Sequence, residues 1–248
     1  IDFSRAEMHW VLDLIDRVAT EGHMDALALV DTFGVVSPHA MQYFVRAVKK
    51  RINKRLEAHF HQDFGMGVAN TIMAMAEGVE VMHTTVLGVG ERAGNTPMEE
   101  TLMALRTMYN INTGIDLIKL TSLARLVEQI TGVLVPTNKP VVGSSLYQIE
   151  SGIIASWFKN CGDEFATELF PVRWSAVGQP AATVVMGKGS GIDSVKMWLE
   201  EAGIEASDEE ALAITHEVKK YSIGTKKLLT EGEFRTIAKK VVGQRTNL

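Results

Sequence analysis

His59 and His61 stand two residues apart in the run Glu57-Ala-His-Phe-His61. If that run is a strand, side chains alternate along it, so both imidazoles leave one face and can share a divalent cation. Taken alone, the spacing favours a plainer alternative, two hydrogen-bonded histidines on a half-buried strand. The neighbourhood shifts the balance. Downstream lies Gly88-Val-Gly-Glu-Arg-Ala-Gly-Asn95, whose Gly88 and Gly90 would let backbone approach a ligand. Its Glu91 brings a carboxylate for proton transfer, Arg92 a fixed cation and Asn95 an oxygen ligand. The alternative is a surface turn in which Glu91 and Arg92 pair weakly in solvent. A phosphate loop fits worse, since no Gly-Lys-Ser/Thr ending follows. Thr32, just after a short apolar run, would aim its hydroxyl at the same place or else merely cap the turn.

Positioning these residues takes parallel strands alternating with helices. Met8, Val11, Leu12, Leu14, Ile15 and Val18 predict a helix over about 6–20, and Ala26 to Val30 a buried parallel strand. Ser37-Pro38 supplies an N-cap and a first helical residue for a helix near 38–52. The rhythm repeats with strand Glu57 to His61 and a helix over 66–77. It repeats again with strand Val79 to Val86 and a helix from Pro97, where Thr96 and Glu99 have capping-box spacing. About three βα units are therefore visible. After a helix near 116–131, two prolines and a glycine in Val133 to Gly143 break the rhythm. The expected divisions are 1–135 for the βα region, 136–190 for a linker subdomain and 191–248 for a helical subdomain. Helices are expected there at 192–202, 207–221 and 230–241.

Composition narrows the classes. The chain has 248 residues, 46% hydrophobic, with 25 basic against 30 acidic side chains and net charge −5. That suits a globular protein with a real core and no nucleic-acid partner, because no Lys/Arg cluster is long enough to track a phosphate backbone. One cysteine, Cys161, excludes an internal disulfide and an all-cysteine metal cage, and fits a reducing, cytoplasmic setting. No run approaches the ~18 apolar residues of a membrane span. The start at Ile1-Asp2-Phe3-Ser4-Arg5 carries the expectation that the first strands precede this chain, and no long regulatory domain is expected after Leu248.

Three segments together resemble a known family. They are Val30-Asp-Thr-Phe-Gly34, His59-Phe-His-Gln-Asp-Phe-Gly65 with Ala69-Asn70, and Thr84-Thr-Val-Leu-Gly-Val-Gly-Glu-Arg-Ala-Gly-Asn95. In this order and spacing they resemble the isopropylmalate, homocitrate and citramalate synthases of the DRE-TIM metallolyases, which also include hydroxymethylglutaryl-CoA lyase. Asn138-Lys-Pro-Val-Val-Gly143, Glu150-Ser-Gly-Ile153, Val177-Gly178 and Gly187-Lys-Gly-Ser-Gly191 resemble markers of that family's C-terminal subdomains. The resemblance implies an α/β fold, the later strands of a (β/α)8 TIM barrel followed by a mainly helical extension. It implies His59 and His61 as metal ligands, Asn95 as a further or nearby one, and Thr32 on the carboxylate of a 2-oxo acid. The metal would be Mg, Mn or Zn, acetyl-CoA the co-substrate, and the assembly a homodimer. The remaining metal-binding Asp and a catalytic Arg and Glu belong to an early-strand motif that this chain does not contain.

One departure bears on the reaction. Where family synthases carry two histidines and a tyrosine tied to proton transfer, this chain has Ile149, Ile154 and Leu169. Tyr147 is the nearby candidate substitute, with an ordinary half-buried tyrosine as the alternative. Three readings follow: a condensing enzyme, a lyase or aldolase of the same superfamily, or a non-catalytic metabolite-binding homologue. Cys161 and His83 receive no role.

Overall fold

The structure, a computed structural model, describes residues 2–243. The first helix, α1 (Met8–Glu21), buries Val11, Leu12 and Ile15. That spacing of one, three and four residues gives one apolar stripe at 3.6 residues per turn. Strand β1 (Ala26–Asp31) follows, then α2 (Pro38–Lys49), β2 (Arg55–Phe60), α3 (Gly67–Ala76), β3 (Val81–His83) and α4 (Met98–Met108). The strands form one parallel sheet in the order β1-β2-β3. As expected, Ser37 caps α2, its Oγ accepting from the Ala40 amide at 3.3 Å, with Pro38 in the first turn.

Register sorts the strand side chains into two faces. Leu27 pairs with Leu56, Leu29 with Ala58 and Asp31 with Phe60. Leu29, Leu56, Ala58 and Phe60 are buried in the core that holds Met41, Phe44, Val45 and Val48 of α2. Phe3 stacks on Phe44 with ring centroids 3.9 Å apart. The opposite face then carries Ala28, Val30, Glu57, His59, Val81 and His83. The chemistry-bearing residues therefore occupy the face that α2 does not cover, which is what an alternating strand packed on one side against helices requires.

Two sequence expectations fail locally. The strand expected over Val79 to Val86 is shortened to Val81–His83, because Val86–Gly88 coils into a 3-10 turn with Leu87 at φ 60°. The capping box expected from Thr96 and Glu99 does not form. Met98 follows Pro97 as N-cap, and no side chain caps the helix. Thr96 is instead buried, its hydroxyl donating to Phe60 O at 3.1 Å and lying 3.2 Å from the Thr71 hydroxyl. Tertiary partners outcompeted the local cap.

The helix expected near 116–131 is α5 (Leu120–Thr131), preceded by a 3-10 turn that Asp116 caps. The chain divides into two compact units after Gly143. In the second, the two-residue strands β4 (Gln148–Ile149) and β5 (Thr183–Val184) pair in parallel, and α6 (Gly152–Cys161) follows β4. Three helices end the unit: α7 (Ile192–Ala202), α8 (Asp208–Thr225) and α9 (Glu231–Val242). They bury Val195, Leu199, Ile214, Val218 and Phe234 together. Two resemblance markers interlock here. Glu150 Oε1 accepts from the Gly189 amide at 2.7 Å, and a Cβ on Gly152 would lie 2.6 Å from the Gly191 Cα.

Helix α9 opens with a complete capping box. Glu233 accepts from the Thr230 amide, the Thr230 hydroxyl, the Tyr221 hydroxyl and Lys227. The Thr230 amide foremost, with those side chains, holds the Glu233 carboxyl down to about 2, from an ordinary 4.5. Its contribution is thus present above about pH 4.5 and is lost as pH falls toward 2. Glu233→Gln is expected to lower the melting temperature at pH 7 and to flatten its fall between pH 4.5 and 2. Parallel acid limbs in wild type and variant would count against this.

Candidate metal centre and active site

The candidate site starts at the end of β2. His59 and His61 have ring centroids 5.4 Å apart. His61 is buried, and its Nδ1 lies 3.2 Å from Gly94 O. A carbonyl can only accept, so Nδ1 carries the hydrogen and the Nε2 lone pair is left for a cation. Burial, with His61 and His83 alongside, holds the His59 imidazole below its usual pKa and so neutral at pH 7. A neutral imidazole is the form that ligates.

Asn95 pairs with His61 across an isolated antiparallel bridge. Its amide donates to Gly88 O at 2.9 Å and its Nδ2 to Val89 O at 3.2 Å. That leaves Asn95 Oδ1 buried with no hydrogen-bond partner. A buried carbonyl oxygen without a donor is uncommon and calls for an explanation, and a cation is one that suits it. Two imidazole nitrogens and one amide oxygen make an N/O donor set suited to a borderline or hard divalent metal. Among the described residues no three His, Cys, Asp or Glu side chains gather as a metal cage.

Gly88 and Gly90 need glycine for reasons inside the loop. A Cβ on Gly88, at φ +69°, would lie 2.9 Å from Asn95 O, and one on Gly90 2.4 Å from Asn95 Nδ2. Both glycines close the loop around Asn95. Gly94 is tighter still. At φ +94° its Cβ would lie 1.9 Å from Gly88 O, and its carbonyl also accepts from the Gln62 amide at 3.0 Å.

Glu91 is exposed on the loop tip, and no side-chain bond ties it to the histidines. Arg92, at φ 56°, grips the Asp63 carboxylate at 2.8 and 3.0 Å and also donates to Thr32 O, tying the loops after β1, β2 and β3 together. The Thr32 hydroxyl accepts from the Asp2 amide at 2.8 Å. Tyr147, in the second unit, packs against Phe170 and Trp174 and donates to Val172 O at 3.1 Å. Burial raises its phenol above the usual pKa. Ile149 is buried in the core beside it, and Ile154 packs there too.

Glu57 is not among the sequence candidates, and His83 is named there without a role. They stand on the His59 face, with His83 Nε2 3.0 Å from Glu57 Oε2 and the His83 ring 5.5 Å from that of His59. Glu57 could have been found by counting back two residues from His59. His83 could not, since its register against β2 is tertiary. Asp31 is the last residue of β1. Its buried carboxylate accepts from the Val35 and Val36 amides and turns the chain toward α2.

Residues 1–127 match the HMGL-like family, just over half of the chain. The chain belongs to that family. Its relatives place this HMGL-like chain among the DRE-TIM metallolyases, in the branch of the synthases. It is 38% identical over 97% of its length to a protein provisionally named (R)-citramalate synthase of Archaeoglobus fulgidus, covering 48% of that relative. A homocitrate synthase of Methanothermobacter thermautotrophicus is 37% identical over 88% of this chain and 54% of the relative. A 2-isopropylmalate synthase of Methanocaldococcus jannaschii is 32% identical over 98% of this chain and 46% of the relative. The HMGL-like chain thus spans about half the length of the curated relatives it matches. The solved HMG-CoA lyase of Bacillus subtilis is 25% identical, with TM-score 0.49, over 56% of this chain and 48% of that one. The three parallel strands and their helices are part of a TIM barrel, followed by a helical extension. No helix among the described residues is long and apolar enough to cross a membrane.

Proposed function

We propose that this chain carries the metal-binding half of an acyl-CoA condensing enzyme, joining acetyl-CoA or a related thioester to a 2-oxo acid. The new carbon–carbon bond gives a CoA thioester, and one water cleaves its C–S bond, so the products are a 2-hydroxy-2-alkyl diacid and free CoA. The observation that carries the reading is the donor set of His59, His61 and Asn95, above all the buried, unpartnered Asn95 Oδ1. His59, His61 and Asn95 would hold a Mg, Mn or Zn ion. When bound, a divalent cation supplies Lewis-acid polarisation of the oxo-acid carbonyl. The protein's own part is orientation: Gly94 O fixes the His61 tautomer, and the closed loop from Gly88 fixes Asn95. Thr32 would meet the substrate carboxylate through its remaining O–H donor. Glu91 would serve proton transfer from the exposed loop tip. A homodimer belongs to the same proposal.

The test is thiol release. The full polypeptide, given Mg2+ or Mn2+, acetyl-CoA and a panel of 2-oxo acids, is expected to liberate free CoA with at least one of them. No release across the panel would remove the condensing assignment. A second reading, cleavage of a hydroxy acid or its CoA ester, is favoured by one observation. Ile149 and Ile154, at the synthases' histidine positions, lie in an apolar core and cannot carry protons. Appearance of oxo-acid product from hydroxy acids, with no thiol release, would establish that reading.

A further inference from the structure

A carboxyl group buried beneath the Asn95 loop has so far been given no role. Glu99 sits in the first turn of α4, where a carboxylate would ordinarily face solvent and the helix N-terminus. Here it is 1% exposed. Its Oε2 accepts from the Leu87 amide at 3.0 Å, while its Oε1 is buried without a partner. Lys139, whose charge it feels, pairs with the neighbouring Glu100 at 2.7 Å. Burial dominates and pushes the Glu99 carboxyl above the usual carboxylate range. Burying such a group is costly, and a fold retains it where its hydrogen bond does something an apolar side chain could not.

What that bond does is visible in the chain it holds. Leu87 adopts φ 60°, a left-handed conformation that a leucine side chain disfavours. That turn sends the backbone back on itself, so Gly88 O meets the Asn95 amide and Val89 O meets Asn95 Nδ2. With both nitrogens of Asn95 tied down, its Oδ1 is the atom left over, on the residue that the bridge pairs with His61. A strained residue persists only when its surroundings over-determine it, and the Glu99 carboxyl is the side chain bonded to this one.

We propose that Glu99 is a positioning residue, which holds the Leu87 turn so that Asn95 presents its oxygen to the cation. The inference rests on the metal reading above. Its reach is one bond from Glu99 to Leu87 and one from Gly88 to Asn95, a supporting layer behind a ligand of the kind that commonly tunes metal affinity.

Binding of Mn2+ alone to the full polypeptide, read from the electron paramagnetic resonance of the free ion, tests it. Asn95→Ala and Glu99→Leu are each expected to weaken binding by about tenfold or more. The double variant is expected to be no weaker than Asn95→Ala, because Glu99 acts through Asn95. Amide exchange at Leu87 and Asn95 should quicken in the metal-free Glu99→Leu protein. Glu99→Asp, one methylene shorter, keeps the carboxyl but withdraws it from Leu87, and covers the case in which Glu99→Leu does not fold. It is expected to bind Mn2+ several-fold more weakly. Unchanged affinity in a folded Glu99 variant overturns the inference alone, as does a double variant whose loss is the product of the single ones. If wild type binds no Mn2+, or Asn95→Ala binds it as well as wild type, the metal reading falls and this inference with it.

Discussion

His61→Ala is expected to weaken Mn2+ binding by more than about 100-fold while leaving the fold in place. Loss of an outer partner of a metal ligand typically costs ~10–100-fold, and losing the ligand itself should exceed that. The fold survives because His61 contributes one hydrogen bond, to Gly94 O, and a single such bond is worth about 1 kcal/mol. Gly94 O also keeps its bond from the Gln62 amide, so no buried acceptor is orphaned. His59→Ala should act in the same direction, since its ring makes edge contacts with His61 and His83 on the same face. Isothermal titration with Mn2+, set beside the melting temperature, separates the two effects. Affinity within threefold of wild type for both variants would dismiss the pair as ligands and restore the plainer reading of two packed strand histidines.

The second large effect belongs to a glycine. Gly94→Ala is expected to abolish the closed loop, because the added Cβ would lie 1.9 Å from Gly88 O, far inside contact distance, at a φ of +94°. The left-handed conformation alone costs about 1–2 kcal/mol for an alanine. The overlap can be relieved only by moving Gly88 O, which accepts from the Asn95 amide, or Gly94 O, which serves both His61 and Gln62. Mn2+ affinity should therefore fall by about 10–100-fold, and the Asn95 and Gln62 amides should exchange faster with solvent. Gly114→Ala is the control: φ is +76° there, but nothing lies within 4 Å of the added Cβ. It should show the left-handed penalty and no change in affinity. Equal behaviour of the two variants would mean that loop closure does not position Asn95.

Much of the site was legible along the chain because strand alternation and loop glycines are local properties. Glu57, His59 and His61 share a face by counting, and Ser37-Pro38 announces the start of α2. The segments from Val30 to Asn95 carried the family, now shown by the match over residues 1–127. What failed were places where a local pattern competed with a distant partner. Thr96 and Glu99 have the spacing of a cap, but Thr96 is taken by Phe60 and Thr71 and Glu99 by Leu87.

The sequence by itself determined that parallel βα units carry two imidazoles on one strand face, with a glycine-rich loop ending in Asn95. Periodicity of 2.0 and 3.6 residues follows from backbone geometry alone. Only the tertiary structure decided which groups meet there. The register of β3 against β2 brings His83 to His59, an antiparallel bridge pairs Asn95 with His61, and the Leu87 turn rests on a buried Glu99. These are contacts between residues 12 to 34 positions apart, set by how strands pair and where buried polar atoms find partners. No pattern within one element encodes them.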